Sequence, residues 1–142
     1  MITAEQVIEQ ARTWLGTPWH HQGRVCGPRG GVDCVGLFAC VLLELGEPVR
    51  DLAAYRRTPV GDRLLREIRE RLPELAGPEP GCLLVLATRP AAQPVPDHIG
   101  MLTFDGTLIH ASASAGVVAE VAYDRRWQES TVAAFDLTRR AG

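Results

Sequence analysis

Residues Cys34–Leu45 read CVGLFACVLLEL, apolar almost all the way round a helix. A helix of that pattern has no face to offer water, so it must be enclosed by other elements. Its longest apolar run, Val35–Leu43, is about half of the ~20 residues a membrane span needs. It therefore reads as the central helix of a protein core. The chain of 142 residues is long enough to wrap it. A chain of this size buries about two thirds of its unfolded surface, so the core needs neither disulfides nor metal. One domain covering residues 1–142 is the natural expectation. Asp33 stands where an N-cap belongs, while Gly46 and Pro48 end the helix.

The flanking segments have clear periods. Thr3 and Gln6 form a capping-box pattern, and Val7, Ile8, Ala11, Trp14 and Leu15 follow at helical spacing. Gly16 and Pro18 stop that helix. Residues 19–31 read as a loop rich in Gly and Arg. Residues 62–72 (DRLLREIRERL) read as an amphipathic helix with Leu64, Leu65, Ile68 and Leu72 inward. Gly77-Pro78-Glu79-Pro80-Gly81 marks the sharpest change along the chain. Beyond it, residues 82–87, 98–104, 107–112, 117–121 and 132–137 read as strands. Their short connections predict an antiparallel meander. Helices first and strands second give an α+β fold.

Charge narrows the function classes. The formal charge is −2, and all 15 basic residues are Arg. That bias is one of genome composition or heat adaptation. Arg56, Arg57, Arg63, Arg66, Arg69 and Arg71 cluster, but Asp62, Glu67, Glu70 and Glu74 interleave with them. The cluster reads as a solvated helix face, and no nucleic-acid partner is expected. No membrane partner is expected either. Residues 1–6 lack a basic n-region and an apolar h-region, so they do not read as a signal peptide. The chain is expected to be made in the cytoplasm and to reach any outside target by another vehicle. Cys26, Cys34, Cys40 and Cys82 contain no CxxC pair and are expected as free thiols.

Three residues combine into a chemical hypothesis: Cys34, His98 and His110. Cys34 follows the Asp33 cap, in the first turn of the buried helix. Unpaired backbone N–H groups there favour an anion and lower a thiol pKa. Cys40 and Cys82 are assigned to the core. A cysteine nucleophile needs a base, and the base needs an orienting partner. His98 and His110 flank a strand–turn–strand unit. If Asp105-Gly106 were a two-residue loop, the two rings would lie on opposite faces. If the loop is Phe104-Asp105-Gly106, His110 lies opposite Gly100 and His98 shares its face, one diagonal step away. Gly at the left-handed third position favours the second register. Backbone separation is then about 7–8 Å.

Other polar residues carry less. His20, His21, Cys26 and Cys34 match no common structural zinc spacing, so no metal and no cofactor is expected. Asp97 and Glu120 are expected at the surface. Gly31 and Gly36 form no phosphate loop, since no GK[ST] follows.

Taken together, these stretches resemble a known family, the NlpC/P60 cysteine peptidases. LGTPWHHQGRVCGPRGGVDCVGL is similar to the family's opening motif, in which a GTPY-like segment precedes DCSGL. His98-Ile99-Gly100-Met101 resembles its HIGI block, and Leu108-Ile109-His110-Ala111-Ser112 its HAS block. Pro80–Leu86 (PGCLLVL) stands in place of its PGDLVFF strand. Residues 18–22 (PWHHQ) and 132–137 (VAAFDL) resemble the phage and gene-transfer-agent branch.

The resemblance implies a papain-like fold: N-terminal helices packed on an antiparallel sheet of about five strands, with the nucleophile at the start of the central buried helix. Cys34 becomes the nucleophile, His98 the base and His110 the orienting residue. Trp19, Asp33 and His21 are placed on the oxyanion and substrate-binding side. The implied activity is hydrolysis of peptidoglycan peptide bonds, of the γ-D-glutamyl–diamino acid type. Stem peptides are the implied partners, together with phage or gene-transfer-agent tail proteins, and the protein would be virion-associated. A tail-assembly protein on a hydrolase scaffold, or an amidase or acyltransferase, are the alternatives. Trp19 replaces the family's usual Tyr, Val35 its usual Ser, and the loop before Cys34 is longer than usual.

Overall fold

The computed structural model describes residues 2–52 and 54–141. In chain order it contains α1 (Ala4–Arg12), β1 (Arg24–Val25), β2 (Gly31–Val32), α2 (Cys34–Glu44), α3 (Arg63–Arg69) and β3 (Glu74–Leu75). There follow β4 (Leu83–Leu86), β5 (His98–Leu102), β6 (Thr107–Ser112), β7 (Val117–Ala122), α4 (Arg125–Ser130) and β8 (Thr131–Phe135). The α+β class holds. The expected capping box is present: Gln6 N donates to the Thr3 hydroxyl, and the Gln6 side chain accepts from Thr3 N.

The sheet differs from the expectation in size and order. It has six antiparallel strands in the order β3-β8-β4-β5-β6-β7, beside a two-stranded ribbon of β1 and β2. The meander therefore runs from β4 to β7 only. The last strand, β8, returns to pair with the far side of β4 and with β3. Strands β1 to β3 are two residues each, too short to leave a period in the sequence. The same holds for the six-residue α4.

Strand β4 reads as a continuous apolar run because both of its faces are covered. Leu83 and Val85 join the larger core cluster, with Phe38, Val41, Leu42 and Trp14 of the helical layer. Leu84 and Leu86 point the other way, into a second cluster with Leu102, Leu108 and Ala134, bordered by Trp127. Helix α2 is enclosed over most of its length, with no exposed surface at Phe38, Val41 and Leu42, but its last turn opens to solvent and Leu43 is 69% exposed. Gly36 explains one fixed feature of its start. A Cβ there would run into the carbonyl of Gly23, so only glycine lets the helix sit this close to the loop.

The arginine cluster is not uniformly solvated, contrary to expectation. Arg71 is buried and donates to the carbonyls of Glu67, Asp51 and Arg50, while pairing with the Glu67 carboxylate at 2.7 Å. Arg57 leaves the helix face altogether and lies over the Trp19 ring.

Candidate active site

The first residue of α2, the first of β5 and the middle of β6 line one cavity of about 820 Å3. These positions are Cys34, His98 and His110. The hairpin between β5 and β6 takes the three-residue loop. Leu102 pairs with Leu108, and Thr103 N donates to Thr107 O at 2.9 Å. Gly106 supplies the left-handed residue, with φ of 69°. Continuing that register puts His110 opposite Gly100, so both imidazoles share a face. The result is a hydrogen bond of 2.8 Å between His98 Nε2 and His110 Nδ1. The rings meet edge to face, with centroids 5.0 Å apart.

That bond constrains the tautomers. Only one of the two nitrogens can carry its proton when both rings are neutral. With the proton on His98 Nε2, His98 Nδ1 is a free acceptor and His110 Nδ1 accepts. Trp127 of α4 packs on both rings, at 5.0 Å from His110 and 6.4 Å from His98 between centroids. It shields the pair from water. No sequence period could have revealed it, since α4 is only six residues long.

Electrostatics here run against one expectation. The thiol was expected to be acidified by the helix N-terminus. The N–H groups of Ile99, Val35 and Cys34 do act on the sulfur in that direction. Burial outweighs them, with the neighbouring Asp33 carboxylate adding to it, and the Cys34 thiol is pushed up to about 12. Burial, and then His110, push His98 down to about 3. Burial alone pushes His110 down to about 4. A lone thiolate or a lone imidazolium is thus costly in this pocket.

These shifts have a pH consequence. Folded His98 and His110 bind protons more weakly than the unfolded chain, whose histidines titrate near 6.5. Their contribution to stability is therefore whole above pH 6.5 and is lost as pH falls toward 3. Thermal melts should show Tm dropping from pH 7 to pH 4, and dropping less in a His98→Gln/His110→Gln variant. Activity should keep its acid limb below pH 5, because His98 stays neutral there. An inflection near 6.5 would show an ordinary, solvated histidine instead.

Asp33 is the hub of the site's other wall. Its side chain is 5% exposed. One oxygen accepts from Gly36 N (2.8 Å) and pairs with Arg24 (3.3 Å). The other accepts from Gln22 N (2.7 Å) and Tyr55 Oη (2.6 Å). Both oxygens are thus engaged within the protein, on a residue that also lines the cavity. It caps the helix start that carries Cys34, and ties it to Arg24 of β1 and to Tyr55. Gln22 adopts φ of 58° to aim its N–H at this carboxylate.

His21 and Trp19 line the same cavity. His21 Nδ1 lies 3.8 Å from Asp33, and its ring meets Tyr55 edge to face at 5.6 Å. The backbone N–H of Trp19 is taken by Gly116 O at 2.8 Å, leaving the indole ring as its contribution to the cavity. Tyr55 was not foreseen. It brings a phenol hydroxyl into the cavity wall from an aperiodic stretch, where Trp19 replaces the tyrosine expected by resemblance. That hydroxyl is held between Asp33 and Arg24 Nη2 (2.9 Å). Asp97 and Glu120 are not simple surface carboxylates either. Asp97 is held by Thr88 and Arg89, and Glu120 by Arg12 and Thr107.

A helical layer on an antiparallel sheet, with a thiol heading the buried helix and two histidines on neighbouring strands lining one cavity, defines a papain-like α+β protein. The sequence profile of the NlpC/P60 family matches residues 16–136, and the chain belongs to that family. Among solved structures, the NlpC/P60 domain of the peptidoglycan hydrolase SagA superposes with a TM-score of 0.59 at 19% identity, covering 95% of this chain and 99% of that one. RipB, a peptidoglycan hydrolase of Mycobacterium tuberculosis, gives 0.64 at 18% identity, covering 94% of this chain and 64% of that one. A lipoprotein-like NLP/P60 family protein of Staphylococcus aureus gives 0.64 at 16% identity, covering 94% and 41%. The chain thus spans less than half of the S. aureus protein and nearly all of the SagA domain. No curated protein sequence matches the chain. Among the described residues, no helix is long and apolar enough to cross a membrane.

Proposed function

We propose that the protein is a cysteine peptidase that hydrolyses peptide bonds of bacterial peptidoglycan. The observation that carries this reading is the 2.8 Å His98–His110 hydrogen bond in the cavity that also holds Cys34. Family membership and the names of SagA and RipB support the substrate class.

In this reading the proton on Cys34 Sγ passes to His98 Nδ1 as the sulfur attacks the carbonyl carbon. His98 then carries a proton on each nitrogen, and the Nε2 proton stays directed at His110 Nδ1. The oxyanion is met by the N–H groups at the start of α2, with the indole of Trp19 as a further donor. One such donor contributes about 3–4 kcal/mol. His98 returns its proton to the leaving amine, and a thioester on Cys34 remains. Water, losing a proton to His98 Nδ1, attacks the thioester carbon. The C–S bond breaks, the acid product leaves, and His98 Nδ1 returns the proton to Sγ, which restores the thiol.

The scissile bond proposed is the γ-D-glutamyl–diamino acid bond, which rests on the sequence resemblance. Delivery by a phage-tail or gene-transfer-agent particle rests on residues 18–22 and 132–137 alone. Digestion of purified sacculi tests the reading. Soluble muropeptides should appear, with masses that identify the bond cut. Sacculi left intact, with Cys34 unreactive toward iodoacetamide, would turn the reading toward a structural role in assembly.

A further inference from the structure

The two imidazoles stand on the face of the sheet turned away from the main core. Side chains alternate along a strand. Ile99, Met101, Ile109 and Ala111 therefore enter the main core with α2, while His98 and His110 share the other face with Leu102 and Leu108. The buried cluster on that face is small, and Trp127 and Tyr123 border it. Trp127 covers its histidine end, with ring centroids 5.0 Å from His110 and 6.4 Å from His98. His110 is left 5% exposed.

The backbone holds Trp127 in this place. His98 pairs with Leu86, and Leu86 pairs with Thr131, so the first residue of β8 lies in the same row of the sheet as His98. The β4–β8 register shifts at this point, with Val132 as the extra residue on β8. A bulge of this kind bends the strand and re-aims what adjoins it. Helix α4 runs directly into Thr131 and lies over the histidines. Three hydrogen bonds close its base. Thr131 Oγ1 donates to Trp127 O (3.0 Å), Tyr123 Oη bonds Thr131 Oγ1 (2.6 Å), and Gln128 Nε2 donates to Tyr123 O (2.9 Å). No residue of α4 is fully buried, and the Trp127 ring is its packing contact with the small cluster.

We propose that Trp127 is a positioning residue for the base: its indole keeps the His98–His110 hydrogen bond dry and fixes the angle at which the two rings meet. The inference rests on the peptidase reading for what the base does, and goes beyond it in assigning the state of the pair to one side chain. In water either ring would take up a second proton below about pH 6.5, and His98 Nδ1 would cease to be a free acceptor. Covered by the indole, both rings stay neutral with one proton between them. The charged and titratable groups sharing the cavity are Cys34, Asp33, His21 and Tyr55 on the thiol side, the arginines of the 56–63 stretch, Asp97 and Arg89 before β5, and Asp124 and Arg126 around α4. Strands β4 and β8 carry none, and Glu120 of β7 pairs with Ile109 and so stands on the opposite face. All of these groups are kept when Trp127 is replaced.

The test is the titration of His98 and His110 in the full-length protein, followed by NMR of the ring resonances in the wild type, Trp127→Ala and Trp127→Phe. In the wild type both rings should stay neutral to below pH 5. In Trp127→Ala they should titrate near 6.5. Trp127→Phe restores an apolar ring and should titrate close to the wild type. In turnover, Trp127→Ala should lose roughly thirtyfold more kcat/KM at pH 5 than at pH 8, because a solvated histidine is neutral in about one molecule in thirty at pH 5. The main core lies on the other face of the sheet, and circular dichroism checks that the variants fold. Wild-type rings that titrate near 6.5 would overturn the proposal without any variant. So would wild-type titration in Trp127→Ala, or a shift in Trp127→Phe as large as that in Trp127→Ala. The titration is read without substrate. A protein that cuts nothing, but whose rings shift as described, supports this inference and sinks the peptidase reading. Cleavage of sacculi with rings that do not shift does the reverse.

Discussion

His98→Ala should lower kcat/KM on muropeptide substrates by about 10^3–10^4-fold, nearly as far as Cys34→Ala does. The reason is that the thiol and the imidazole act as a unit. Burial holds the Cys34 thiol up near 12, so at neutral pH almost no thiolate exists without a local proton acceptor. In the proposed mechanism His98 is that acceptor, and its other nitrogen is bound to His110 at 2.8 Å. Alkylation separates this account from mere loss of fold. In the wild-type protein, iodoacetamide should modify Cys34 in a manner that depends on His98. In His98→Ala, Cys34 should become slower than the exposed Cys26, while the melting temperature stays close to that of the wild type. His110→Ala should lie between, since it removes the orienting partner and leaves the base. Unchanged alkylation of Cys34 in His98→Ala would mean that the helix N-terminus alone activates the sulfur.

Asp33→Ala should destabilise the protein by about 3–5 kcal/mol, read by urea unfolding followed by circular dichroism. The carboxylate is 5% exposed and serves two backbone N–H groups, a phenol and a guanidinium. Alanine would leave these donors without their acceptor, and it would remove the N-cap of α2 as well. Arg24 keeps Asp51 as a second partner, so part of its charge remains compensated. Asp33→Asn retains one acceptor oxygen and should lose less. In both variants activity should fall beyond what the remaining folded fraction explains, because the start of α2 sets the position of Cys34. A loss below about 1 kcal/mol in Asp33→Ala would show that water replaces the carboxylate freely, and the hub assignment would fail.

How much of this was legible in the chain varies with the length of each element. The buried helix, the hairpin register and the pairing of His98 with His110 all follow from local rules: an all-round apolar segment, a left-handed glycine in a three-residue loop, and the period of two along strands. Strands β1 to β3 and α4 are too short to impose a period, so the sequence pattern marks no element there. Strand β8 takes its place beside β4 through non-local pairing, which no local rule encodes, and the meander was overextended for that reason. In the site, the same limit hid Tyr55 and Trp127. Each reaches the cavity from a short or aperiodic stretch, through contacts 22 residues away from Asp33 and 17 from His110. The thiol pKa was misjudged because the helix dipole can be read from position, whereas desolvation depends on everything that packs round the sulfur.

The most direct test of the account is to trap the covalent intermediate. The protein would be mixed with an excess of the γ-glutamyl peptide, quenched in acid within the first turnover, and digested for mass spectrometry. The account predicts that the peptide containing Cys34 gains the mass of the acyl half of the substrate. That adduct should be absent from Cys34→Ala and should build up poorly in His98→Ala. Hydrolysis that continues in Cys34→Ala, or an adduct on any residue other than Cys34, would contradict it.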